Sequence, residues 1–329
     1  MKKIIIIRPE SAEGSPVYER SNSFSDYFKR KGFHVNTIAS PDGILDLLKL
    51  IITIVRCNPA YVFITMPPFR NWSIFLLPFA KIILDLRDGW SIAIESGYGG
   101  VFEPNKKKAK LAKFIEYFAI KKSFATITCT PGLVQYLNSL SKKKIYLVRN
   151  GLSQDDYLMA QNLFVNKSFS SNENIRRFIC AGKFSEYGKD KVKKILSIIN
   201  ERYGDKKCLI QLIGSDVNEN KWIAEYLTEK QLLNIDVEIL GRLSKYEMYN
   251  VMHNAFCAIT IIRDPDYDFG TKIYDYLALE LKYLDYFDDS NNFQDYFYQY
   301  SDTYHGEREV IQIVREKILE ESDFNSIIV

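Results

Sequence analysis

The chain has 329 residues, 47% hydrophobic and 26% charged, and its 44 basic and 41 acidic residues leave a formal net charge of +3. Those proportions are globular and exclude a disordered chain, while the near-balance of charge gives no ground for nucleic-acid binding. The length exceeds the usual size of a single core and predicts two domains of roughly 150 residues each.

The first element predicted is a buried parallel strand, from four consecutive isoleucines at 4–7. A loop with Gly14 and Pro16 and a helix ending near Gly32 follow. Short apolar runs then recur at 35–39, 60–65, 82–86, 125–129 and 145–148, separated by longer helical stretches. This rhythm predicts an α/β, doubly wound unit. Within it, residues 106–122 carry seven lysines interleaved with Phe114, Tyr117 and Phe118, with Glu116 the one acid. That composition suits either a solvated helix with one face in the core or a helix lying against an anionic membrane.

A polar stretch at 166–177 breaks the rhythm and is the expected linker. Strand-like runs resume at 178–181, 208–213, 237–240 and 255–262, predicting a second α/β half, and the two halves are expected to face each other across a cleft. Residues 307–320 have the spacing of a terminal helix lying over another surface. The five cysteines, Cys57, Cys129, Cys180, Cys208 and Cys257, form no CxxC or Cys/His spacing and are expected to be reduced core residues. The N-terminal apolar run is far short of a signal-peptide core and no later run approaches a membrane span, so a cytoplasmic protein is expected.

The segment Phe-Gly-Thr-Lys-Ile-Tyr-Asp-Tyr-Leu-Ala at 269–278 places Thr271 at a helix N-cap, Lys272 in the first turn and Asp275 three residues on, with Ile273, Leu277 and Leu281 as the apolar stripe. A lysine beside free helix-start amides is suited to phosphate, and the carboxylate on the same face to sugar hydroxyls. The alternative is a surface ion pair on an ordinary amphipathic helix. His34, His253 and His305 adjoin no motif and are expected to be structural. Asp264, Asp266 and Asp268 form overlapping Asp-x-Asp patterns, a spacing also used for divalent metals, but a complete α/β half precedes them. They are assigned to a cleft loop, and no metal site is expected.

Five segments in order, Ile-Leu-Asp-Leu-Arg-Asp-Gly-Trp at 83–90, Lys-Ile-Tyr-Leu-Val-Arg-Asn-Gly at 144–151, Phe-Ile-Cys-Ala-Gly-Lys at 178–183, Val-Glu-Ile-Leu-Gly-Arg-Leu at 237–243 and Gly-Thr-Lys-Ile-Tyr-Asp-Tyr-Leu-Ala at 270–278, together resemble the GT-B glycosyltransferases. The resemblance is to the large retaining group that builds bacterial surface polysaccharides. It implies two Rossmann-like domains: an acceptor-side domain at 1–165, a linker at 166–177, a nucleotide-sugar domain at 178–305 and a terminal helix at 306–329 packing across both.

By the same resemblance Asn150-Gly151 is the turn ending the first domain, and Gly182 and Lys183 meet the donor diphosphate, where lysine keeps the charge of the usual arginine but not its fork. Lys189 stands one place later than the family's second lysine, whose position is Tyr187 followed by Gly188. Lys272 is the other diphosphate cation, Asp275 stands where a glutamate holds the ribose, and Asp268, Gly270 and Thr271 complete the donor loop. The family's acidic residue eight positions before the ribose carboxylate is here Tyr267, and its later Gly-x-Pro is Leu281-Lys282-Tyr283. Asp85, Arg87 and Asp88 match a strand-end motif lying at the cleft in relatives, which implies catalytic roles for Arg87 and Asp88; a buried structural ion pair is the alternative.

Glycosyl transfer leaves negative charge on the departing diphosphate, so cations aimed at it, Lys183 and Lys272, stabilise the transition state without a protein nucleophile. The expected partners are a nucleotide-diphosphate sugar and a saccharide or lipid-linked saccharide acceptor, with peripheral contact to an anionic membrane at its inner face, no cofactor and no nucleic acid. Two alternatives stay open: a degenerate transferase-like partner subunit, suggested by Tyr187, Tyr267 and Tyr283, and a nucleotide-sugar epimerase.

Overall fold

The structure, a computed structural model, describes residues 1–9, 15–66, 69–77, 80–97, 103–165, 174–307 and 311–328. It divides into two compact units: the first comprises Met1–Tyr98, Glu103–Ser153 and Val314–Val329, and the second is chiefly Gln154–Ile313.

The first unit is built on β1 (Lys3–Arg8), β2 (His34–Ala39), β3 (Tyr61–Met66), β4 (Ile82–Leu86), β5 (Ala125–Thr128) and β6 (Ile145–Leu147). All are parallel, in the order β2-β1-β3-β4-β5-β6. The isoleucine run is buried on both faces because alternate residues feed different cores. Ile5 and Ile7 pack under the helix Ile44–Cys57, while Ile4 and Ile6 pack with Phe24, Tyr27 and Phe28 of the helix Pro16–Arg30. Each fully buried side chain of this kind contributes about 1.5–3 kcal/mol. Pro16 does not lie in a loop: it opens the helix, where its missing N–H costs nothing, and the Ser15 side chain caps the Tyr18 N–H.

The second unit holds β7 (Ile175–Ala181), β8 (Lys207–Ile213), β9 (Ile235–Ile239), β10 (Cys257–Ile259) and β11 (Tyr283–Leu284), parallel and in the order β11-β10-β7-β8-β9. The chain runs from β7 outward through β8 to β9, then returns to the other side of β7 as β10. The order therefore reverses between β7 and β10, and the carboxyl ends of those strands are where open α/β sheets receive ligands. The predicted two α/β halves are thus present, each with one parallel sheet, and the fold is of the GT-B type.

Three expected boundaries move. The helix Gln154–Val165, expected in the first domain, groups with the second unit, because the Gln161 amide donates to the Ala278 carbonyl at 2.8 Å and Asp156 pairs with Lys245. In the expected linker, residues 166–173 lie outside the described residues, and Ile175 already pairs with Lys207 as β7 begins. Part of its polar character comes from Arg176, which pairs with Asp205 at the outer end of the strand. The predicted helix at 307–320 is shorter, Arg315–Glu321, and 308–310 lie outside the described residues. Val314 forms a parallel bridge with Leu152, and buried Arg315 donates to the Gly151 carbonyl and to Ser23 Oγ, so residues 314–329 belong to the first unit.

Candidate functional site

The expected donor residues gather at the carboxyl ends of β7 and β10. Gly182 follows β7 with φ of +100°, a conformation that favours glycine, and its carbonyl accepts from Ser215 Oγ at 2.5 Å. A Cβ built there would lie 3.9 Å from Lys272 Cγ, so the backbone at Gly182 and the Lys272 side chain are neighbours. Tyr276 ties the two strand ends together: its hydroxyl accepts from the Ala181 N–H at 2.9 Å and donates to the Ile259 carbonyl at 3.3 Å.

The helix Lys272–Ala278 follows a loop anchored by Phe269, whose ring packs against Phe293, Tyr296 and Phe297. Asp268 shapes that loop. One carboxylate oxygen accepts from the Gly270 N–H at 2.9 Å and the other from Arg263 at 3.3 Å. Asp266 accepts from the Asn292 N–H, and Asp264 from the Asp266 N–H. Among the described residues no group of three or more His, Cys, Asp or Glu is arranged to hold a metal. Thr271 occupies the N-cap position, but its side chain makes no capping bond, contrary to the expected cap.

Asp275 is the centre of the site and is not the surface partner of the alternative reading. It is 2% exposed, and one oxygen accepts from Lys245 Nζ at 2.6 Å and Tyr249 OH at 2.8 Å, while the other faces Lys272 Nζ at 3.4 Å. Burial pushes its carboxyl up, but the ammonium groups of Lys272 and Lys245 and the hydrogen bonds from Lys245 and Tyr249 outweigh that and hold it below the ordinary range. Lys245 also faces Asp156 at 3.5 Å. Burial lowers its pKa, yet the charges of Asp275 and Asp156 prevail and raise it. The Lys272 side chain keeps 40% of its surface, with its amine 3.9 Å from Met248 Sδ. A buried anion thus orients a lysine whose side chain stays partly exposed.

Lys183 is exposed, its amine 5.8 Å from the Tyr187 ring centroid, and Arg263 lies over the same ring at 5.8 Å. The tyrosine standing at the family's lysine position therefore carries two cations on its ring. Lys189 is turned toward the Trp222 indole, 5.4 Å away, rather than toward the donor loop. Two residues on, about 200° around the helix, Lys191 points the other way and donates to the carbonyls of Ile262 and Arg263, each at 3.0 Å. Burial lowers its pKa. Lys191, Lys245 and Tyr249 were not foreseen. Helical spacing from Gly188 singles out neither lysine, and nothing local links Lys245 to a carboxylate thirty residues on.

In the first unit, Asp85 is fully buried and is gripped by Arg20 from the helix Pro16–Arg30, at 2.8 Å to Nη2 and 3.1 Å to Nε. Arg20 also donates to the Val148 carbonyl and to Asn150 Oδ1, holding the segment after β6; no turn or bend is formed at Asn150-Gly151, contrary to the expected turn. The structural ion pair is therefore formed, by Asp85 with Arg20. Arg87 and Asp88 lie just past the end of β4, both half-buried. Gly89 follows, and a Cβ there would meet Ile92 Cδ1 at 2.9 Å.

No family model matches the chain, and no curated protein matches it. Solved structures do. It is similar to sucrose-phosphate synthase (tll1590) from Thermosynechococcus elongatus, at 12% identity and TM-score 0.60, over 86% of this chain and 80% of that one. Anabaena Alr3699/HepE in complex with UDP aligns at 11% identity and TM-score 0.54, over 86% and 80%. UDP-GlcNAc 2-epimerase from Methanocaldococcus jannaschii aligns at 14% identity and TM-score 0.51, over 97% and 91%. At such identities these likenesses establish the fold.

Proposed function

We propose that the chain is a retaining glycosyltransferase that moves a sugar from a nucleotide-diphosphate sugar to a saccharide or lipid-linked saccharide in bacterial surface polysaccharide synthesis. The observation that carries this is Lys272, its side chain partly exposed and passing beside the Gly182 backbone, with its amine held by a buried carboxylate at the sheet's switch point. The UDP bound by the Anabaena neighbour is in keeping with it.

In the reaction the bond from the anomeric carbon to the donor phosphate oxygen breaks, a bond to the acceptor oxygen forms, and the acceptor proton leaves with the diphosphate. Lys272 and Lys183 meet the charge that develops on that group; catalytic roles for Arg87 and Asp88 are carried by the motif resemblance. Gly270 and Thr271 line the donor loop that Asp268 holds. Asp275 orients Lys272, and its carboxylate reaches the ribose only if it gives up a present partner. The reaction proceeds without a divalent metal.

An epimerase is the second reading, favoured by the 97% of the chain that the archaeal epimerase spans. A thermal-shift screen of UDP-, GDP- and CMP-sugars tests the donor site: ligand at about 100 times its dissociation constant stabilises the fold by about 2.7 kcal/mol. Isomerisation of the bound sugar without acceptor identifies the epimerase; transfer only with acceptor identifies the transferase. No shift with any donor overturns both.

A further inference from the structure

One face of the first unit carries an apolar surface that the donor chemistry does not use. The helix Ile44–Cys57 buries Leu50 and Ile54 against the sheet, yet its outward side is also apolar: Ile44, Leu45, Leu48, Ile52 and Val55 are all exposed, the first two by 76% and 70%. Steps of three and four residues place them in one stripe along the helix. Beside it run the polar Asp46, Lys49, Thr53 and Arg56, so the helix presents an exposed apolar stripe edged by polar groups, the kind of surface that takes a partner.

The stripe does not stand alone. The short 3-10 helix Phe69–Leu76 sends Ile74 and Phe75, and the helix Lys106–Lys122 sends Ala119 and Ile120, into the same core under the same sheet face as Leu50 and Ile54. The three elements therefore form one layer with a common outer side. There Trp72, Leu76, Leu111 and Phe114 are exposed, and the Trp72 ring meets Phe118 edge-on at 6.3 Å.

Charge identifies what covers this side. All seven lysines of the helix Lys106–Lys122 are exposed, whereas its one acid, Glu116, is fully buried and accepts from the Trp90 and Ser91 N–H groups and the Tyr136 hydroxyl. On the helix Ile44–Cys57 the one acid, Asp46, pairs with Lys49 at 3.1 Å, and Arg56 is exposed. An apolar stripe bordered by a strong excess of cations complements apolar chains beneath anionic headgroups, not a second, equally basic copy of itself.

We propose that this layer docks on an anionic lipid bilayer, with Leu48 and Ile52 inserted below the headgroups and the lysines of the neighbouring helix among them. Among the described residues no helix is long and apolar enough to cross a membrane, so the contact is interfacial. The proposal rests on the functional reading for its purpose, bringing a lipid-linked acceptor to the enzyme, but its test needs neither donor nor turnover.

The full chain is sedimented with vesicles of phosphatidylcholine alone or with about one-third phosphatidylglycerol, at low and high salt. Binding is expected only with the anionic lipid. Leu48→Ser with Ile52→Ser reduces it at least about tenfold. Lys107→Gln with Lys110→Gln and Lys113→Gln weakens it and flattens its salt dependence. Because these positions are exposed, both variants keep the wild-type Tm and the wild-type shift with UDP. Binding indifferent to phosphatidylglycerol, or unchanged in either variant, overturns the proposal. So does a wild-type dimer in sedimentation velocity that the serine pair dissociates while vesicles bind nothing, which assigns the face to a second copy. A failed UDP shift with intact vesicle binding strikes the functional reading alone.

Discussion

Lys245 donates to Asp275 across 2.6 Å from the opening turn of another helix, and this contact holds the carboxylate that faces Lys272. Lys272 is thereby positioned by a second cation that shares its counter-ion. Removing the buried carboxylate strands both lysines, whereas removing Lys272 leaves Asp275 paired with Lys245, so stability and ligand affinity separate.

Lys272→Ala weakens binding of a nucleoside diphosphate by about 1.5–3 kcal/mol, the range of a charge-assisted hydrogen bond, and leaves the free nucleoside nearly unchanged. Titration calorimetry with UDP and uridine reads the difference. Equal losses on both ligands remove the diphosphate role.

Asp275→Asn destabilises the fold by about 3–5 kcal/mol, because Lys245, left with Asp156 alone, and Lys272 lose the buried anion between them. The native carboxyl titrates below its ordinary value, so the unfolded chain takes up the proton first as pH falls. Its stabilising contribution is present above about pH 4 and is lost below it as pH drops through the depressed value. Denaturant titrations across the acid range will show this limb in the wild type and a flatter one in the variant. Adding Lys245→Met to Asp275→Asn recovers part of the loss, and simple additivity contradicts the network.

Glu116→Gln tests the buried cap in the first unit. Burial raises this carboxyl, outweighing the bonds from Ser91, Tyr136 and Trp90, so between its ordinary and raised values the native state holds the extra proton. Stability therefore falls as pH rises through that window, and glutamine, which keeps the shape, removes that slope. An identical pH dependence in both proteins would show that Glu116 is already ionised when folded at the lower end.

Asp85→Ala costs about 3–5 kcal/mol by stranding buried Arg20. Arg87→Ala and Asp88→Ala, at half-buried positions past the strand end, change stability by less than about 1 kcal/mol. If these two residues serve the reaction, turnover collapses while thermal stability stays. A loss of stability to match that of Asp85→Ala places them in the scaffold instead.

Chelator is expected to leave turnover nearly intact, because in the proposed reaction lysines rather than a carboxylate-held metal neutralise the leaving group. Loss of activity with EDTA and its return with manganese points back to Asp264, Asp266 and Asp268.

Much of the fold was legible because its signals are local. Four isoleucines in a row suit a strand covered on both faces, and the apolar runs at 82–86 and 208–213 mark β4 and nearly all of β8 for the same reason. The two residues of β11 escaped notice, since a strand so short has no periodicity to read. The final helix was overextended because Val310, Ile311 and Ile313 fit a helical stripe, whereas a bridge at Val314 sets where the helix starts. Lys189 was chosen by position in a motif, and only the helix azimuth shows that Lys191 is the one turned inward.

The sequence by itself determined two α/β halves, the order of the motifs along them, and the presence of a lysine and a carboxylate three residues apart on one short helix, because periodicity and spacing act over a few residues. Only the tertiary structure decided that Asp275 is buried rather than a surface partner, that Arg20 closes on Asp85, and that the single acid among seven lysines faces inward. Each of those outcomes depends on groups tens of residues away that supply a counter-charge or a hydrogen bond. The cost of burying a charge is met by partners that only the completed fold brings within reach.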